Sequence, residues 1–213
     1  MKATEAKLLD FLKRSPQFVI PIYQRTYCWT LTECRQLWAD IIRAGEDEQI
    51  LAHFVGSIVY IEKGLSNLTI QEPMLVIDGQ QRLTTITLLL TALAEALEKL
   101  DEASREPVDG FGPRKLRNYY LLNPEESGER HYKLLLSQTD KLSLIAAVNG
   151  GDQPKQPSLR VSENLAFFQT LIGDRKDLVT VCRGLAKLII VDVALSRTQD
   201  NPQLIFESMN SMG

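Results

Sequence analysis

The feature that most constrains the fold is a short apolar segment followed by a polar turn and a long amphipathic stretch. Residues 74–77 (MLVI) are typical of a buried strand. Beyond the polar turn at residues 78–82, apolar side chains recur by threes and fours along one helical face, namely Leu83, Ile86, Leu90, Leu93, Leu97 and Leu100. The pattern predicts a strand, a tight turn and a helix over about residues 81–100.

The polar turn sits where this helix begins, and its residues suit the binding of an anion. A helix start has unpaired amide hydrogens and the positive end of the helix dipole, which together attract phosphate. Gly79 would let the backbone approach a phosphate, Gln80 and Gln81 would donate hydrogen bonds, and Arg82 would neutralise charge. Asp78 would hold a magnesium ion or orient a water. The alternative is an Asp-Gly turn with solvated polar side chains. The sequence contains no P-loop pattern.

Length and composition are those of a globular protein with one substantial core. The chain has 213 residues, of which 44% are hydrophobic and 24% charged, and no apolar run is long enough to span a membrane. Three cysteines without close pairing make a disulfide framework or zinc site an unfavourable interpretation, so we expect a cytoplasmic location. A net charge of −3 gives no global case for nucleic-acid binding, so any DNA contact needs a local basic patch.

Strand and helix patterns alternate through the rest of the chain. Thr4 is predicted to cap a first helix that ends before Pro16, and Thr30 with Glu33 predicts a capping box for a second helix that ends near Gly45. Further strands are predicted over residues 18–20, 54–61, 68–77 and 188–195, mainly helical segments over 101–184, and a last helix from residues 201–202.

This order predicts a single-domain α/β fold whose one sheet is completed by the last strand. The core would comprise residues 1–100 and 185–213, with a large helical insertion over about residues 101–184. Because the chain stops directly after a predicted helix, we expect it to be part of a longer protein.

A second group of candidate residues lies between residues 21 and 29. Tyr23, Tyr27 and Trp29 alternate there with polar side chains. One interpretation is an edge strand whose aromatic residues pack on the core. The other is a site in which Arg25 and Gln24 bind phosphate and Tyr23 stacks on a base or sugar.

Three weaker signals remain. Glu207 and Asn210 share a face near the end of the chain, where they would be either solvated or part of a metal environment. The pair Gly56-Ser57 inside a strand indicates either a close backbone approach or a bulge. The two histidines, His53 and His131, lack the partners that a histidine-based nuclease or a Cys/His protease requires.

Four motifs, taken together and in order, resemble a known family. They are IPIYQRTYCW at residues 20–29, HFVGSI at 53–58, DGQQRLT at 78–84 and IFESMNSMG at 205–213. The chain resembles the ParB/sulfiredoxin-like N-terminal domain of GmrSD-type restriction and anti-phage proteins.

The resemblance implies a ParB/sulfiredoxin-like mixed-sheet core that binds and hydrolyses a nucleoside triphosphate. The nucleotide signature of the family falls on residues 78–82 without substitution. Pro21 and Tyr23 match positions that help some members to sense modified DNA. Sulfiredoxin's reactive cysteine has no counterpart here, so a redox role is not implied. Full-length members commonly carry a C-terminal HNH-type nuclease domain, for which this chain supplies no histidine-bearing metal site.

The resulting hypothesis is a regulatory domain of a modification-dependent DNA restriction or phage-defence system. It would use a nucleoside triphosphate and Mg²⁺, contact DNA, and control an HNH-type nuclease domain; we expect no membrane partner. The expected site residues are Asp78, Gln80, Gln81 and Arg82 for catalysis; Gly79, Arg25, Gln24, Ser57, Thr84 and Asn210 for nucleotide binding; Pro21 and Tyr23 for DNA; and Asp78 with Glu207 for the metal. The alternative is a module of the same fold that binds DNA or a partner without hydrolysis.

Overall fold

Strands and helices alternate along the chain in the computed structural model, which describes residues 2–62, 72–175 and 177–196. The strands in these ranges are β1 (Lys2–Lys7), β2 (Phe18–Val19), β3 (His53–Glu62), β4 (Met74–Asp78), β5 (Leu134–Leu135) and β6 (Leu188–Ser196). The α-helices are α1 (Leu8–Arg14), α2 (Leu31–Glu46), α3 (Gln80–Glu98), α4 (Pro113–Leu116), α5 (Gln138–Asn149), α6 (Leu159–Gly173) and α7 (Val179–Ala186). A π-helical turn (Arg117–Leu121) continues α4, and short 3₁₀ turns lie at Glu102–Ser104 and Gly128–His131.

The described strands form one mixed sheet in the order β1-β6-β3-β4-β2-β5. The β1/β6 and β3/β4 pairs are antiparallel, and the other neighbours are parallel. The predicted α/β class is therefore confirmed. Strand β6 lies inside the sheet between β1 and β3, which explains its nearly continuous run of aliphatic side chains. Leu188 and Ile190 face the main core, while Leu195 faces a small apolar cluster around Val59 and Ile77.

Helix α3 runs through the main core and carries the candidate site at its first turn. Almost all of its side chains are buried, including the predicted Leu83, Ile86, Leu90, Leu93 and Leu97. Leu100 is an exception at 38% exposed, because the helix ends at Glu98. Each threonine of the helix is buried with its hydroxyl donating to the carbonyl four residues earlier (Thr84, Thr85, Thr87 and Thr91). These polar residues are thus accommodated in the core without unpaired hydroxyls.

The prediction that Thr4 caps the first helix is wrong. Thr4 lies in β1 and pairs with Asp192 of β6, and α1 begins only at Leu8 with no side-chain cap. The polar sequence of β1 lacks the alternation of a half-buried strand, so its pairing with a distant strand overrides the local signal.

The capping box of α2 is confirmed, and the helix ends one residue after the predicted stop. Thr30 accepts a hydrogen bond from the Thr32 amide, and Glu33 accepts one from the Thr30 amide at 2.6 Å. Gly45 lies inside the helix, which continues to Glu46. A Cβ atom at Gly45 would come within 2.0 Å of a carbonyl oxygen of α7, so this glycine permits close packing of two helices.

The segment between α3 and β6 is mainly helical, as expected, yet it also contributes to the sheet. Its strand β5 pairs in parallel with β2 at one sheet edge. The early part of the strand predicted over residues 68–77, and the final predicted helix, lie outside the described residues. None of the described helices is both long and apolar enough to cross a membrane.

Candidate functional site

The candidate site is built around the turn that joins β4 to α3. Asp78 is the last residue of β4, Gly79 has a φ angle of 97°, and α3 begins at Gln80. A Cβ atom at Gly79 would lie 3.0 Å from the Ser57 carbonyl oxygen, so both the backbone angle and the tight packing favour glycine. The first intrahelical bond runs from the Leu83 amide to the Gly79 carbonyl. The amides of Gln80, Gln81 and Arg82 therefore have no intrahelical acceptor.

A cleft of about 380 Å³ opens beside this turn. Residues 77–82 form one of its walls. The other wall comes from residues 21–30, here called the aromatic loop, which contributes Tyr23, Gln24, Arg25 and Trp29. The predicted edge strand is absent from this described segment, which forms a turn and extended chain between β2 and α2. The two motifs that the sequence singled out thus lie against one another.

Arg82 is seated on a bulge in the neighbouring strand. The β3/β6 register shifts between Phe54 and Ser57, and Gly56 has a φ angle of 116°. A Cβ atom on Gly56 would come within 2.4 Å of the Arg82 Nε atom, and Arg82 Nη1 donates to the Ser57 carbonyl at 3.1 Å. The Gly56-Ser57 pair therefore provides both a bulge and a close approach, and Ser57 contributes its main-chain oxygen to the site.

Two glutamine side chains connect the aromatic loop to the strand–turn–helix segment. The buried Gln24 donates from Nε2 to the carbonyls of Val76 (2.5 Å) and Ile77 (3.0 Å). Gln80 donates from Nε2 to the Arg25 carbonyl at 2.8 Å. The Gln80 Oε1 atom, in contrast, has no hydrogen-bond partner within the described residues, so it remains able to accept a hydrogen bond.

Gln81 makes a more complete connection. Its Oε1 atom accepts hydrogen bonds from the Cys28 amide (2.9 Å) and the Trp29 amide (3.2 Å). Its Nε2 atom donates to the Thr26 carbonyl at 3.3 Å. With both ends of the carboxamide engaged, the geometry gives Gln81 a structural role in holding the loop.

The charged side chains of the cleft have few hydrogen-bond or ion-pair partners among the described residues. The Arg25 side chain is exposed, and the structure gives it no hydrogen-bond or ion-pair partner among the residues it describes. The same holds for the half-buried Asp78 carboxylate. Arg82 makes its bond to a neutral carbonyl and has no acidic partner in the described ranges. The cleft thus presents two guanidinium groups and one carboxylate.

The remaining predicted residues fall in different places. Tyr23 lines the cleft with 55% of its surface exposed, and partial burial raises the pKa of its hydroxyl. Pro21 precedes it at the start of the loop. Thr84 is fully buried and its hydroxyl donates to the Gln80 carbonyl, so this side chain lies in the protein core. Glu207 and Asn210 lie outside the described residues.

Trp29 was missed as a site residue, because its spacing suggested core packing alone. The structure places it in the cleft wall while part of its ring packs against the core. Asp140 and Asn164 were also missed. Asp140 accepts from the Tyr27 amide, and Asn164 donates to the Tyr27 hydroxyl and the Trp29 carbonyl. These partners are more than 100 residues apart in sequence, a separation over which residue spacing carries no signal.

Asp78 is the only acidic residue that the described part of the chain places in the cleft wall. No group of three or more His, Cys, Asp or Glu side chains in the described ranges would hold a metal ion. Magnesium commonly binds through one or two carboxylates together with substrate phosphates. Asp78 lines the cleft and its carboxylate has no partner in the described ranges, which fits such a phosphate-bridged ion.

Comparison with known proteins agrees with the sequence motifs. No curated protein matches the chain. The family described as "GmrSD restriction endonuclease, N-terminal domain" matches residues 6–213, which is almost the whole sequence. That match confirms the resemblance carried by the four motifs and gives the chain a role in a restriction system. The chain belongs to the family of GmrSD restriction endonuclease N-terminal domains.

Proposed function

We propose that this domain binds a nucleoside triphosphate with Mg²⁺ in the cleft at the start of α3, hydrolyses it, and thereby controls a nuclease domain of the restriction system. The observation that carries the proposal is the convergence on one cleft of two guanidinium groups, a helix start and a carboxylate that has no partner among the described residues. Each of these groups suits a polyphosphate with its magnesium ion.

The charge distribution favours a polyphosphate. Among the described residues, Arg25 and Arg82 outnumber the carboxylate of Asp78 in the cleft wall. The open amides of the first turn of α3 add the positive end of the helix dipole. A triphosphate carries several negative charges, and a magnesium ion held between its oxygens and Asp78 would offset part of them.

The aromatic residues favour a nucleotide over inorganic polyphosphate. Tyr23 and Trp29 both line the cleft, and stacking of a base on aromatic side chains is a common mode of nucleotide binding. Stacking is tolerant of base identity because every base has a π-face. We therefore expect the phosphates to lie at the turn and the base to lie along the aromatic loop.

Hydrolysis needs a positioned water and stabilisation of the charge on the transferred phosphoryl group. Gln80 is the better candidate for orienting the water, because its Oε1 atom is unengaged within the described residues, whereas both ends of Gln81 hold the loop. Arg82 and Arg25 would stabilise the developing charge on the phosphate oxygens. The magnesium ion, when bound, would neutralise charge on the bridged phosphates. Gln24, Gln81 and Thr84 enter this proposal as residues that shape the site.

DNA contact is proposed for the exposed tip of the aromatic loop. Ile22 is 81% exposed, and Tyr23 lies next to it with Pro21 on the other side. Since the same loop forms a wall of the cleft, DNA bound at the tip and nucleotide bound in the cleft would affect one another. A nuclease domain in the full-length protein is the expected recipient of that signal, because the family is named for the N-terminal domain of a restriction endonuclease.

The test is phosphate release from each nucleoside triphosphate with Mg²⁺, using the wild type and the variants Arg82→Ala, Gln80→Leu and Arg114→Ala. Arg114 is an exposed arginine of α4 outside the cleft wall, so Arg114→Ala controls for loss of a positive charge. We expect Arg82→Ala and Gln80→Leu to lose turnover while Arg114→Ala keeps it. Equal turnover in all four proteins contradicts the catalytic assignment. Binding without turnover in the wild type identifies the non-hydrolysing alternative.

A further inference from the structure

A chain of buried hydrogen bonds connects α6 to the first turn of α3 through the aromatic loop. Asn164 of α6 is fully buried, and its Nδ2 atom donates to the Tyr27 hydroxyl at 2.8 Å and to the Trp29 carbonyl at 2.9 Å. The Tyr27 hydroxyl lies 2.7 Å from Thr85 Oγ1, which donates to the Gln81 carbonyl at 2.8 Å. The chain therefore ends on the residue that holds the loop from the other side.

The orientation of the Asn164 carboxamide at one end of this chain is fixed. The Trp29 carbonyl can only accept, so it sets the orientation of the Asn164 carboxamide. The Tyr27 hydroxyl accepts from Asn164, and it shares a hydrogen bond with the Thr85 hydroxyl in which either oxygen can be the donor. Burial raises the pKa of Tyr27 far above its ordinary value, so its hydroxyl keeps its proton.

The same segment of the loop is held from a third direction. The Tyr27 amide donates to the buried Asp140 carboxylate at 2.6 Å, at the start of α5. Trp29 is bonded on opposite sides, because its amide donates to Gln81 and its carbonyl accepts from Asn164. Since Trp29 lines the cleft, its position there depends on residues contributed from both directions.

One atom indicates that Asn164 is not explained by packing alone. Its Oδ1 atom is buried and has no hydrogen-bond partner among the residues that the structure describes. A buried polar atom without a partner destabilises the fold, and an aliphatic side chain of similar size would avoid that cost. The bonds from Asn164 Nδ2 to the Tyr27 hydroxyl and the Trp29 carbonyl are contacts that an aliphatic side chain could not make.

We propose that Asn164 is a positioning residue for the nucleotide site, acting through Tyr27 and Thr85 to fix the cleft wall at Trp29 against the first turn of α3. This inference rests on the proposed function, since the wall that it positions is the one expected to contact the nucleotide. Asn164 does not touch the cleft. It acts by ordering the wall before the ligand arrives, which lowers the entropic cost of binding.

The test compares isosteric variants of Thr85 and Asn164 by the affinity for a non-hydrolysable triphosphate. Thr85→Val removes the hydroxyl and Thr85→Ser retains it, while Thr91→Val makes the same chemical change two turns further along α3. We expect Asn164→Leu and Thr85→Val to weaken binding about tenfold or more, since small misplacements of binding groups have effects of this size. We expect Thr85→Ser and Thr91→Val to bind like the wild type. Equal affinity in Thr85→Val and Thr91→Val overturns the inference.

A second readout separates this inference from the proposed function. Hydrogen exchange at the amides of residues 27–29 reports the order of the cleft wall without any ligand. We expect faster exchange there in Asn164→Leu and Thr85→Val than in Thr91→Val. If the wild type binds no triphosphate, the proposed function fails, and faster exchange in these variants still supports positioning. Exchange equal to that of Thr91→Val overturns positioning, whether or not the nucleotide binds.

Discussion

Substitution of Gln81 best distinguishes a structural from a catalytic role for the residues of the turn. Its carboxamide oxygen accepts from two loop amides, and its side chain is 9% exposed. In Gln81→Ala, the amides of Cys28 and Trp29 lose their acceptor. In Gln81→Glu, a carboxylate keeps both acceptor bonds, loses the long bond to the Thr26 carbonyl and places a second oxygen against that carbonyl.

The expected magnitudes follow from these bonds. A buried polar group without a partner costs about 1–3 kcal/mol, and the partial exposure of the loop places each amide at the lower end. We expect Gln81→Ala to lower the free energy of unfolding by about 2–3 kcal/mol in total. For a chain of this size that corresponds to a fall in Tm of about 4–12 °C. Gln81→Glu should be destabilised less than Gln81→Ala, because the two acceptor bonds remain and a negative charge in the first helical turn offsets part of the cost of burying a carboxylate.

Urea and thermal unfolding measure these differences in stability, and the affinity for a triphosphate is a second, independent measurement. Gln81→Glu should fold normally yet bind a triphosphate more weakly, since it adds a negative charge beside the cleft. Gln80→Ala, which removes a single bond to the Arg25 carbonyl, is the matched comparison for stability. A Gln81→Ala protein with unchanged Tm and lost phosphate release would refute the structural role and restore a catalytic one.

Three further predictions concern the bulge and the cysteines. Gly56→Ala should weaken triphosphate binding and lower stability by about 1–3 kcal/mol, because it combines an unfavourable backbone angle with displacement of the guanidinium that the glycine faces. Gly110 is also at positive φ but has open space around it, so Gly110→Ala measures the cost of the backbone angle alone in the same unfolding and binding assays. Equal effects of both substitutions would contradict the role of Gly56 in accommodating the Arg82 side chain. In the folded protein at pH 8, a thiol reagent should modify the exposed Cys28 alone, since burial raises the pKa of Cys34 to about 11 and of Cys182 to about 12. Because the folded state holds these two protons more tightly, the free energy of unfolding should fall as pH rises from 9 towards 11, and a flat profile would contradict the burial.

Local sequence signals predicted the parts of the fold that local chemistry determines. The strand, turn and helix around Gly79 follow from apolar periodicity and a glycine, and the capping box at Thr30 follows from two residues three apart. Strand β1 could not be predicted in this way. Its six residues carry no alternation, and it is a strand because β6, almost two hundred residues later, pairs with it.

The same distinction between local signals and long-range contacts applies to the candidate site. The sequence identified the turn, both arginines and the aromatic loop, because these residue types at a helix start have a direct use in anion binding. It could not distinguish Gln80 from Gln81, since the difference lies in which loop carbonyls and amides each side chain reaches. Nor could spacing reveal Asn164, whose partners are 135 and 137 residues away.

Arg25 offers the most direct test that the cleft binds a nucleoside triphosphate. Its exposed guanidinium has no partner in the described part of the chain, so Arg25→Ala should leave Tm unchanged. The measurement is calorimetric titration of a non-hydrolysable triphosphate with Mg²⁺ into the wild type, Arg25→Ala and Arg114→Ala. A lost charge-assisted bond predicts about 10- to 100-fold weaker binding for Arg25→Ala, with Arg114→Ala equal to the wild type. Identical affinities for Arg25→Ala and the wild type, or no binding to either, would contradict the account.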